Sequence, residues 1–177
     1  MGLLSGSLIL FPGCDLSPEK VSRILNDFEV TEKQDTLLKL LVNTLIPETE
    51  VPGAGSLGIQ DFVWIMVDEC LDKDRQTSYL KGLQGFNSNY REITGSDFDS
   101  SGPSERVAGL DAMIKGMERP GSKEHVLTFI EITKSFSILG YTQSKYYMTE
   151  LMPYTLIPGK NPECRIVSAN EKINVNA

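Results

Sequence analysis

The chain is poor in the residues on which common active sites depend. Its 177 residues include one histidine, one tryptophan and three cysteines. No C-x-x-C pair occurs, and His125 alone leaves a zinc site short of ligands. G-x-S-x-G, the phosphate-binding G-x-x-x-x-G-K-[ST] loop and H-E-x-x-H are all missing. Positive charge is scarce as well. Seventeen Lys and Arg stand against 24 Asp and Glu, and the net charge of −7 comes without any basic cluster. Nucleic-acid phosphates would be repelled, which argues against such a partner, and the acidity reads as a solubility device. Long apolar runs are missing too. "GLLSGSLILF", residues 2–11, is uncharged but far shorter than the roughly 20 apolar residues of a membrane-spanning helix. What remains is a 40% hydrophobic, 23% charged chain, enough to bury the core of one soluble domain.

The run 2–11 is similar to the apolar region of an export signal and leads into Pro12-Gly13-Cys14. Met1 opens directly on it without a basic segment, so either upstream residues are absent from this chain or the run is a structural arm; the reading preferred is a signal remnant, with residues 1–14 as a signal-like, truncated leader and 15–177 as the domain. Gly13 before Cys14 suits a lipoprotein cleavage site, which makes Cys14 a candidate for lipidation, although Phe11 and Pro12 do not fit that site. Cys70 and Cys164 are then left as a candidate disulfide in an exported protein. The alternative is a pair of buried free thiols.

Periodicity is helical nearly throughout. Ser17-Pro18 predicts a short helix to about residue 26, with an apolar stripe at Val21, Ile24, Leu25 and Phe28. Thr31-x-x-Gln34 is a capping box ahead of a helix that Pro47 stops. Residues 59–71 are apolar around most of the helix circumference, which predicts a central element. A more polar helix over 72–93 buries Tyr79, Leu80, Leu83, Phe86 and Tyr90, with Gly82 and Gly85 weakening it. Next come a loop over 94–102, a helix over 103–117 and a turn at 119–122. A long amphipathic helix over 122–139 is expected to end at a left-handed Gly140, and Ser144 caps a last short helix. Beyond Pro153 the periodicity fades into an extended tail. The expectation is an all-α, single-domain irregular bundle of about six to seven helices with that tail.

Gly53-Ala-Gly55-Ser-Leu-Gly58 matches the dinucleotide fingerprint G-x-G-x-x-G. The fingerprint works only after a buried strand that delivers the pyrophosphate to a helix N-terminus. Here a helix, two prolines and two carboxylates come first. Asp72 and Asp74 lie at the fingerprint's distance but at the end of a helix. The segment reads as a hinge between helices, with Pro52-Gly53 setting a turn. His125, beside Glu124, reads as a surface residue. Glu118, Glu131 and Asp111 lack the spacing of an acid/base pair. Tyr141, Tyr146, Tyr147 and Tyr154 could line a sugar-binding pocket or pack the last helices. The first option leaves open an independent helical sugar-binding module or small enzyme.

Five motifs occur in a telling order: "LVNTLIPETEVPGAGSLGIQDFVWIMVDECL" (41–71), "YLKGLQGFN" (79–87), "GSDF" (95–98), "GYTQSKYY" (140–147) and "YTLIPGKNPEC" (154–164). Together they resemble the gluconate 2-dehydrogenase subunit 3 family, with its I-P-x-T-x-x-P-G-A signature between two apolar helices. Members commonly begin with a twin-arginine signal, and no Arg-Arg precedes the apolar run here. The resemblance implies a non-catalytic small subunit that assists folding, export and stability of a large one. That partner would be a glucose–methanol–choline (GMC)-type flavoprotein holding FAD and the substrate site, oxidising a sugar, glucoside or sugar acid. No cofactor is expected in this chain, and a cytochrome c often accepts the electrons. The implied location is the periplasm, with membrane association through a partner or a lipid anchor. Pro47, Pro52, Gly53, Ala54, Tyr141, Ser144, Tyr154, Pro158 and Gly159 are the candidate partner interface.

Overall fold

Two short strands, β1 (Val21–Ile24) and β2 (Glu29–Thr31), open the computed structural model, which describes residues 20–117 and 124–152. They pair antiparallel, with Ile24 opposite Glu29 and Val21 opposite Thr31. This overturns the described part of the helix expected over 17–26. The apolar spacing also suits a hairpin: Leu25 and Phe28 rest on the core, while Ile24 is 76% exposed. The deciding contact is remote in sequence. The Asp68 carboxylate accepts the backbone N–H groups of Asn26 and Asp27, each at 3.0 Å. Amides engaged this way are withdrawn from the i−4 bonds a helix needs. Lys73 and Gln76 hold the Asp27 carboxylate from the other side, Lys73 as an ion pair and Gln76 as a donor. Asp68→Ala is expected to cost about 2–4 kcal/mol, since two hydrogen bonds to a charged acceptor disappear. Hydrogen exchange at the amides of residues 26 and 27 should accelerate more than exchange in the helices.

The first helix, α1 (Glu32–Leu45), starts at the expected capping box. Gln34 N–H donates to Thr31 Oγ1 at 3.3 Å, and Thr31 N–H donates to Gln34 Oε1 at 2.9 Å. It stops before Pro47. The next helices are α2 (Ile59–Cys70), α3 (Lys73–Thr94), α4 (Pro103–Met117) and α5 (Glu124–Thr142). Asp72 caps α3 by accepting Arg75 N–H at 2.9 Å. The all-α expectation holds, with the hairpin as its one departure among the described residues.

Centrality falls on α5, which packs against α1, α2, α3 and α4. The expectation that α2 is the central element is corrected. It buries Val63, Trp64 and Val67 on one side, but Ile65 is 52% exposed and Cys70 lies at the surface. Through the core runs a chain of edge-to-face aromatic contacts. Trp64 meets Phe28 and Tyr79, Tyr79 meets Phe129, Phe129 meets Phe86, and Phe86 meets Phe98. Gly82 is where α3 crosses α5 most closely, because a Cβ there would lie 2.0 Å from the His125 carbonyl oxygen.

Gly140 does not end α5. The helix runs on to Thr142, and the missing Cβ at 140 leaves room for the Phe62 ring, which would otherwise lie 2.6 Å away. Ser144 does cap the final helical turn, its Oγ accepting Tyr147 N–H at 3.2 Å. That turn begins at Lys145 and runs on into a wider π-helix, Tyr147–Leu151, with Met152 N–H bonded to Tyr147 O at 2.8 Å. The leader, the turn at 119–122 and the tail from Pro153 lie outside the described residues.

Candidate functional site

The hinge joining α1 to α2 folds back on the end of α1. Ala54 N–H donates to Ile46 O at 2.9 Å, Ser56 and Leu57 N–H to Gly53 O at 3.2 Å each, and Ile59 N–H to Ala54 O at 3.0 Å. The glycines have local reasons. A Cβ at Gly53 would sit 2.6 Å from both Asn43 Oδ1 and Glu48 N, and Gly55 also packs on Asn43. Gly58 starts α2 from a left-handed conformation, φ +70°. In a dinucleotide loop these amides would face a pyrophosphate. Here they are engaged by carbonyls of the same chain, and the preceding element is a helix. The loop does not fit a dinucleotide.

Tertiary structure joins two parts of the candidate interface that are 89 residues apart: the Tyr141 hydroxyl donates to Pro52 O at 3.0 Å. Tyr141 is buried, its ring meets Tyr147 edge-on at 6.0 Å, and Ser144 lies close behind it in sequence, capping the turn that leads into the π-helix. Burial pushes the Tyr141 phenol above its ordinary pKa, and Tyr146 and Tyr147 push it further. The hydroxyl is engaged by the hinge. Gly53 and Ala54 are buried and shape the hinge from within, whereas Pro47 is exposed at its start. Pro47 borders a small cleft, shared with Thr44, Pro103 and Val107, between α1 and α4. Tyr154, Pro158, Gly159, Cys14 and Cys164 lie outside the described residues, and with them the lipidation and disulfide expectations. Cys70 is exposed, its sulfur 3.8 Å from Met66 Sδ, so the buried-thiol alternative does not hold at that position.

One polar cluster had no signature in the sequence. Asp35 on α1 accepts the Trp64 indole N–H at 2.9 Å and pairs with Arg23 at 3.1 Å, and Arg23 also pairs with Asp61 at 2.7 Å. The cluster ties β1 to α1 and α2, and its role is structural. His125 is exposed as expected, its Nδ1 sharing a hydrogen bond of 2.8 Å with Ser78 Oγ. Among the described residues, no group of three His, Cys, Asp or Glu is placed to hold a metal ion, and no helix is long and apolar enough to cross a membrane.

A family model described as gluconate 2-dehydrogenase subunit 3 matches residues 32–159, well over half of the chain. The match takes in the hinge, all five helices and the π-turn. No curated protein and no solved structure matches.

Proposed function

Since the chain belongs to the gluconate 2-dehydrogenase subunit 3 family, we propose that it is the non-catalytic small subunit of an FAD-dependent, GMC-type dehydrogenase acting on a sugar, glucoside or sugar acid. It assists folding, export and stability of the catalytic subunit, in the periplasm. FAD and the substrate belong to that partner, with a cytochrome c as a further subunit in some complexes. Membrane association comes through a partner or through lipid on Cys14.

The observation that carries this reading is the family match over residues 32–159. The hinge geometry agrees with it. Its one nucleotide-like sequence closes on itself, and Tyr141 locks it to the end of α5. This chain's own part is then to present a preformed helical surface, and a stable complex should bury about 1,000 Å² or more in total.

The test is co-expression with a GMC-type flavoprotein from the same genome. The two are expected to co-purify through a tag on this chain, with flavin absorbance only in the complex. Without this chain, exported active flavoprotein should fall to background. Full export of active flavoprotein in its absence, or flavin held by the isolated chain, would overturn the proposal.

A further inference from the structure

Where α2 ends and α3 begins, both helices border a groove against α5 of about 670 Å³. Leu71, Ile132 and Phe136 give it an apolar part, and the exposed acids Asp74, Glu124 and Glu131 line it as well, with Arg75 the one basic lining residue among the described residues. Cys70 opens onto it. The helices α2 and α5 run antiparallel here, since Phe62 meets Gly140 at one end while Cys70 and Phe136 share the groove at the other. Towards the Phe62 end, Ile65 of α2 is 52% exposed and Leu139 of α5 41% exposed. That end adjoins Tyr141 and, through it, the hinge.

An apolar lining is desolvated most favourably by apolar side chains, and acids around it favour an occupant carrying positive charge. A second copy of this chain is a poor match, because its net charge of −7 opposes docking against the same acids. We propose that this groove seats a segment of the dehydrogenase subunit in which apolar anchors are flanked by lysine or arginine. The inference rests on the proposed function, which supplies the partner.

Cys70 is a built-in reporter of occupancy. The reduced chain is treated with a maleimide, alone and in complex with the co-expressed flavoprotein, and labelling of Cys70 is followed by peptide mass spectrometry. Labelling should be fast in the isolated chain and at least about tenfold slower in the complex, as for a thiol removed from solvent. In parallel, the doubly substituted Glu131→Lys/Ser135→Arg chain alters two exposed lining positions in mid-helix. It should keep its circular dichroism and bind at least about tenfold more weakly, a loss of about 1.4 kcal/mol. Asp99→Lys, on an exposed loop away from the groove, should bind like the parent. A complex that forms while Cys70 labels as fast as before, or that tolerates the double substitution, overturns the groove assignment and leaves the proposed function standing. Slow labelling in the isolated chain also overturns it, by assigning the groove to this chain's own residues or to a second copy; light scattering separates those two. Failure of the parent chain to form any complex overturns the proposed function and this inference together.

Discussion

Gly82→Ala is expected to destabilise the protein by about 3 kcal/mol, the upper range for a methyl forced into a filled contact. A Cβ at Gly82 would lie 2.0 Å from the His125 carbonyl oxygen, 2.7 Å from its carbon and 2.6 Å from Phe129 Cβ. Two of those atoms are backbone in the first turn of α5, so no side-chain rotation relieves the clash. The whole α3–α5 crossing must open, and this crossing is the centre of the fold. Alanine's higher helix propensity returns only about 1 kcal/mol. Urea denaturation followed by circular dichroism measures the difference. Gly116→Ala is the control: it lies in the last turn of α4 with nothing among the described residues within 4 Å of the added methyl, so it should stabilise by about 0.5 kcal/mol. Equal effects at the two positions would refute the close crossing.

Trp64→Ala is expected to cost about 3–5 kcal/mol, as for other fully buried aromatics. Trp64 is completely buried and stands between Phe28 and Tyr79, so its removal leaves a cavity between the hairpin and the helices. It also strips Asp35 of the indole N–H. Trp64→Phe fills most of the space but cannot donate, so it should lie between parent and alanine variant. In the parent, Trp64 is the only tryptophan, and its emission should shift to the red in a single step that coincides with the loss of helix signal. Loss of fluorescence well before loss of helix would instead mean that the hairpin side unfolds as a separate unit.

The elements read correctly from sequence are those written in short-range chemistry. The Thr31/Gln34 capping box, the Pro103 start of α4 and the apolar spacing of α3 each act within a turn or two. The hinge reading of residues 47–58 also rested on local context, a helix and two prolines where a dinucleotide loop needs a strand. The misread elements all depended on distant partners. Residues 21–31 carry a spacing that suits either helix or hairpin, and Asp68 selects the hairpin by binding the amides of residues 26 and 27. Gly140 has the composition of a helix terminator, yet Phe62 from α2 occupies the space its missing side chain leaves. The hydrophobicity of α2 suggested centrality, whereas part of it faces outward at Ile65.

The candidate interface divides along the same line. Pro47, Pro52 and the glycines were legible as a hinge because proline and glycine constrain the chain by themselves. That Tyr141 closes this hinge was not legible, since a hydroxyl reaching a carbonyl 89 residues earlier leaves no periodic trace. By itself, then, the sequence determined the helical class, most helix boundaries, the hinge and the family, all of which arise from local propensity and ordered motifs. Only the tertiary structure decided which helix lies at the centre, which glycines are contact points, and which acids line a groove beside Cys70. Those depend on side-chain volumes and charges meeting across the fold, and such meetings are set by the packing of the whole core.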